Sequence, residues 1–141
     1  MEGAGLPELV EALLGPYAVP PDMRVTFGGP PVDLDAKQVL SLSMILHELI
    51  TNATKYGALS SDEGRIAISW NWSTADRPGR LHFTWKECGL RGVVPPPKRD
   101  SFGLKMIGLS ATHELGGCAG WEWRDQGLLF TLEFQAGRSP E

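Results

Sequence analysis

Residues 36 to 56, AKQVLSLSMILHELITNATKY, can be buried on only one side. Leu42, Ile45, Leu46, Leu49, Ala53 and Tyr56 recur at helical spacing and form one broad apolar face; Asp35 stands where a capping side chain is needed and Gly57 where a helix commonly stops. A helix of this length must lie on something equally one-sided. Four later segments qualify. Ile66, Ile68, Trp70 and Trp72 alternate with other residues in RIAISWNW, and Leu81, Phe83 and Trp85 do so in RLHFTWKE. Ala119, Trp121 and Trp123 follow the same period in CAGWEWR, as do Leu128, Phe130, Leu132 and Phe134 in LLFTLEFQ. The turn signals ADRPG and DQG join these segments into two hairpins.

The remaining pieces fit around that frame. Residues 6 to 14 predict a short amphipathic helix stopped by Gly15-Pro16, MRVTF predicts a strand, and PVDLD a second short strand. GLKMIGLSATHELGG predicts a helix stopped by Gly116-Gly117. Residues 88 to 102, CGLRGVVPPPKRDSF, match neither period and read as a long loop, functional or disordered. Three helices and at least four strands with single apolar faces define an α/β two-layer sandwich, with a mixed, largely antiparallel sheet and the helices on one face. With 141 residues, one domain is expected across the whole chain, 1 to 141.

A formal charge of -4 argues against broad coating of nucleic acid. Cys88 and Cys118 form no ligand pattern and suit reduced thiols. No apolar run is long enough for a membrane span, and the N-terminus lacks the features of a signal peptide. A cytoplasmic segment without membrane contact is expected, even if a parent protein is membrane-tethered.

Three local features point to chemistry. Strand parity turns Glu87 to the same side as Leu81, Phe83 and Trp85, and an inward carboxylate is costly without hydrogen-bond donors; the alternative is that the strand ends at Lys86 and Glu87 returns to water. Spacings of four and three put Glu48, Asn52 and Lys55 in a row on the long helix. Such a row suits a hydrated magnesium ion and its phosphates, or is simply a solvated face. Lys98, Arg99 and Lys105 surround the start of the next helix, where free amides favour an anion. Two other motifs fail: HELIT lacks the second histidine of a zinc protease, and GLKMIGLS lacks the lysine of a P-loop.

In order, LHELITNATKYGALS, WKECG, FGLKMIG, ELGG and GLLFTLEF closely resemble the ATP-binding domain of HWE-type sensor histidine kinases, a branch of the GHKL ATPase superfamily. His47 matches the histidine of the N box, and Trp85-Lys86-Glu87 matches the Trp-x-Glu segment. The likeness runs from about residue 6 to residue 136. It implies ATP and Mg2+ as cofactors. Glu87 would accept a hydrogen bond from the adenine amino group, Asn52 would ligate magnesium, and Glu48 would act near the γ-phosphate, with the metal held through water. Lys55 would touch phosphate and Tyr56 the nucleoside. Residues 89 to 102 would form a lid, with Gly89, Ser101, Gly103, Leu104 and Lys105 contacting nucleotide. His47 is a family marker, structural or chemical, and Trp85 is expected to pack in the core. Two departures imply a stiffer lid: Gly89 is followed by Leu90 and Arg91, and Ser101-Phe102-Gly103 replaces Gly-Phe-Gly.

The resemblance implies donation of the γ-phosphate to a histidine on a separate dimerisation domain, with a response regulator downstream. None of His47, His82 and His113 lies in a segment resembling that phosphoacceptor, so the chain by itself is expected to bind ATP without sustaining autophosphorylation. The alternatives are a free-standing serine kinase of the anti-sigma type and a non-enzymatic docking module.

Overall fold

The computed structural model describes residues 3–18, 24–73, 80–89 and 102–136. Strand β1 (Ala4–Gly5) leads directly into α1 (Leu6–Leu14), whose Leu6, Val10 and Leu14 are buried, and a single helical turn, Gly15–Tyr17, follows. Strands β2 (Val25–Gly28) and β3 (Asp33–Leu34) precede the long helix α2 (Ala36–Lys55). Next come a second single turn (Ala58–Ser60), the hairpin β4 (Arg65–Trp72) and β5 (Arg80–Cys88), helix α3 (Phe102–His113), and the hairpin β6 (Cys118–Arg124) and β7 (Gly127–Gln135).

Five strands form one sheet in the order β2-β4-β5-β7-β6. β2 runs parallel to β4 and the other pairings in this sheet are antiparallel, which makes it the mixed, largely antiparallel sheet expected from the sequence. β1 and β3 make a separate two-residue ladder, with Ala4 opposite Leu34. PVDLD is thus a strand, but its partner is a segment too short to show any period.

Alternation decides which face of the sheet is covered. On β5, Leu81, Phe83, Trp85 and Glu87 are buried while His82 and Lys86 are exposed; on β7, Leu128, Phe130, Leu132 and Phe134 are buried. Register aligns these sets, so Trp70 lies opposite Phe83 with the rings stacked 6.4 Å apart, and Ile68 lies opposite Trp85. The helices cover this apolar face. The opposite face is polar and carries an ion pair from Arg80 to Glu133 at 3.1 Å. One position on a predicted apolar face is exposed: Trp121, at 42%, on the edge strand β6.

Helix α2 begins as its sequence predicts, and with more help. Gln38 N–H donates to Asp35 Oδ1 at 2.8 Å, and Asp35 N–H returns to Gln38 Oε1 at 3.2 Å, a capping box. Gln38 Nε2 also donates to the carbonyl of Gln135 at 2.7 Å, tying the helix start to the end of β7.

The end of α2 needs a correction. Gly57 has φ -113 and is extended, so it is not a left-handed helix stop. A glycine is needed because a Cβ there would overlap Glu87 Oε1 and lie 3.0 Å from Ala53 Cα. Helix α3 is shorter than expected and ends at His113; Gly116, at φ +63, follows one turn later.

Candidate functional site

Two polar groups are buried on the covered side of the sheet near the end of α2. The first is Glu87, 3% exposed at the last inward position of β5. Its Oε1 accepts from the backbone N–H of Ala58 at 2.8 Å, and its Oε2 accepts from Trp85 Nε1–H at 2.9 Å. Burial pushes its pKa above the ordinary carboxylate value, and the Trp85 and Ala58 hydrogen bonds pull in the other direction.

The inward direction read from strand parity is therefore correct, and the carboxylate does not wait on a ligand for its donors. The protein already supplies two. Trp85 does pack in the core, at 0% exposure, but it is also a donor. Sequence period reveals where a side chain points, not how far an indole nitrogen reaches.

Arg24 is a second residue that sequence reasoning missed. Its guanidinium donates to the carbonyls of Ala58 at 2.8 Å, Gly64 at 3.2 Å and Ser61, bracing the segment that presents the Ala58 N–H. A lone arginine before a short strand carries no signal of this.

The second buried group is Asn52, 6% exposed and about one helical turn before Gly57. Its Nδ2 is buried without a hydrogen-bond partner among the described residues. Glu48, one turn earlier, is half-buried. Gly103, in the first turn of α3, closes over both: a Cβ there would lie 2.5 Å from Glu48 Oε2 and 3.9 Å from Asn52 Nδ2. The structure thus brings together Glu48, Asn52 and Gly103, with Glu87 and Gly57 just beyond.

Other expected residues are less enclosed. Lys55 and Lys105 are exposed, Tyr56 is half-buried, and Gly89 is exposed at the end of β5. His47 is exposed and makes no side-chain hydrogen bond among the described residues; with Leu13, Ser43, Met44 and Glu48 it lines a cavity of about 400 Å³. Leu104 belongs to α3, but its side chain, like Ser101 and residues 90–101 of the expected lid, lies outside the described residues. Cys88 and Cys118 are free thiols, in keeping with their sequence reading. Among the described residues, no helix is long and apolar enough to cross a membrane.

Solved structures share this architecture. The ATP-binding domain of PrrB from Mycobacterium tuberculosis superposes with a TM-score of 0.65 at 18% identity, covering 96% of this chain and 97% of that one. The histidine kinase domain of a blue-light-activated histidine kinase from Erythrobacter litoralis gives a TM-score of 0.67 at 14% identity, covering 93% of this chain and 59% of that one. The fold is that of histidine kinase ATP-binding domains. No protein-family model matches the chain. A blue-light-activated histidine kinase from Rhizobium johnstonii is 35% identical over 132 residues, 91% of this chain. The chain spans about a third of that relative's length, 35%. The chain is a histidine kinase catalytic/ATP-binding domain, related to the blue-light-activated, HWE-type histidine kinases.

Proposed function

We propose that this domain binds ATP with magnesium and donates the γ-phosphate to a histidine on a separate phosphoacceptor domain of its own kinase, from which a response regulator is served in the cytoplasm. The observation that carries the reading is the Asn52 amide, buried beside Glu48 under Gly103 with its nitrogen unpaired among the described residues. A buried amide without a partner costs about 1–3 kcal/mol, so a group that completes it is expected. Turned through 180° about its last bond, the same amide offers Oδ1, a hard oxygen of the kind magnesium takes.

Among the described residues, no cluster of three or more His, Cys, Asp or Glu could hold a metal alone. Asn52, with a water held by Glu48, would hold a magnesium ion here. When bound, that ion would neutralise phosphate charge. Lys55 and Lys105, both exposed, are free to reach phosphates at the open side. Glu87 keeps a second lone pair on each oxygen, enough to accept from an adenine amino group despite its two protein donors. Catalysis by such a site is placement and charge neutralisation, with the accepting histidine delivered from outside.

Calorimetry with ATP, with and without magnesium, tests the binding step: metal-dependent heat is expected, and its absence sinks the reading. Labelled ATP and a separately supplied phosphoacceptor domain test the transfer. An acid-labile phosphoprotein marks histidine, whereas an acid-stable one marks the serine-kinase alternative. One observation favours the docking-module alternative, namely that both Glu87 oxygens are already paired within the protein. The calorimetry decides that too.

A further inference from the structure

The hydrogen bond between Trp85 and Glu87 joins residues two apart on one strand, both turned to the core. Nothing else on the sheet offers Glu87 a donor among the described residues. Across the register, Ile66 lies opposite Glu87 on β4, and Trp85 faces Ile68 on β4 and Phe130 on β7, all apolar. The carboxylate is then fixed at three points. A Cβ on Gly127 would lie 2.8 Å from Glu87 Cβ, so the turn into β7 abuts the base of the side chain. Gly57 leaves room for Oε1 and nothing larger, and Ala58 N–H engages that oxygen. Among the described residues, the indole N–H alone holds Oε2.

A tryptophan present only to fill space could be replaced by another large ring. What the indole adds is one donor, aimed at an atom that would otherwise be a buried acceptor without a partner, and such an atom turns or takes up a proton rather than staying poised.

We propose that Trp85 is a positioning residue for base recognition: its indole N–H fixes the Glu87 carboxylate in the orientation from which it accepts a hydrogen bond from the exocyclic amine of the purine. The inference rests on the nucleotide-binding reading above and assigns it a specificity determinant outside the direct contacts. Trp85, at 0% exposure, presents no surface to a nucleotide. It acts through Glu87.

The test measures affinities for ATP and for purine riboside triphosphate, the same ring without the amine, on the full chain and on its Trp85→Phe variant. A hydrogen bond to a charged group implies that the unaltered chain prefers ATP by about ten- to a hundredfold. With Phe at this position the preference is expected to fall to about threefold or less, through loss of ATP affinity alone. Equal weakening of both ligands, or an unchanged preference, assigns Trp85 to packing and overturns the proposal. If the unaltered chain does not prefer ATP, base recognition by Glu87 itself fails, a result distinct from the first.

Because the Phe variant leaves a void, a second measurement uses the unaltered chain with 15N-labelled tryptophan. ATP is expected to move the Trp85 indole N–H resonance and the amine-free analogue to leave it near its free position. Equal shifts with both, or none with ATP, overturn the proposal.

Discussion

A single methyl group separates the behaviour of the two ends of the site. At Gly57 a Cβ meets a braced carboxylate and the backbone of Ala53 at 3.0 Å, neither free to move aside. Gly57→Ala is therefore expected to cost about 1–3 kcal/mol of stability, measured by denaturant unfolding, and to weaken ATP binding as Glu87 is displaced. At Gly103 the clashing atom is Glu48 Oε2, at 2.5 Å, the far end of a flexible side chain. Gly103→Ala should leave stability within about 0.5 kcal/mol while lowering phosphoryl transfer, because Glu48 is the group that must shift. Equal losses of stability in the two variants would contradict this contrast. Glu87 adds a pH signature. Its pKa is raised in the folded state above the ordinary 4.5, so as pH rises past that value the unfolded chain releases the proton first and stability falls until the folded group ionises too. Glu87→Gln lacks this titration. The melting temperature of the unaltered chain relative to the variant should decline from about pH 4.5 upward; a relative gain over that range would refute the assignment. At this scale the sequence was legible in direction only: alternation placed Glu87 inward, but nothing in local pattern tells that Gly57 serves a carboxylate thirty residues away rather than a helix end.

Elements were legible where a period ran long enough to register. The eight and nine residues of β4 and β5, and the twenty of α2, each repeat their pattern several times. The two residues of β1 repeat nothing, and its pairing with β3 follows from the path of the chain into α1. Long-range side-chain ties between elements were equally silent. Gln38, read only as part of a helix, reaches the carbonyl of Gln135 across the fold, and Arg24 reaches the loop after α2. Arg24 bridges two elements of the site, because the carbonyls it holds belong to the segment whose Ala58 N–H meets Glu87. Arg24→Ala should therefore cost about 1.5–3 kcal/mol, the range for hydrogen bonds from a charged group. Hydrogen exchange should locate the loss: the Ala58 amide is expected to lose protection while amides in the middle of β5 keep theirs. Protection lost uniformly across the sheet would show that Arg24 supports the whole fold rather than this loop.

At the scale of the molecule, the one-sided sheet puts every buried polar group of the candidate site on the helical face, and a ligand held there binds only the folded chain. That links binding to melting. A ligand at a hundred times its dissociation constant stabilises by about 2.7 kcal/mol, which for a chain of this size is a rise of roughly 5–10 °C in melting temperature. ATP with magnesium is expected to produce that rise and ATP with a chelator a smaller one. Asn52 separates the two contributions to stability. Its amide nitrogen is buried and unpaired among the described residues, so Asn52→Ala removes a group whose burial is already unfavourable, and the ligand-free melting point should drop by less than about 1 kcal/mol equivalent, or rise. The same substitution deletes the hard oxygen proposed for the metal, so the magnesium-dependent part of the ATP-induced rise should vanish. A structural asparagine would give the opposite pair: a large fall without ligand and an undiminished response to magnesium. Thermal unfolding of both chains under the three ligand conditions distinguishes these outcomes, because the ligand-free curves report the cost of keeping the amide and the differences between curves report what it binds.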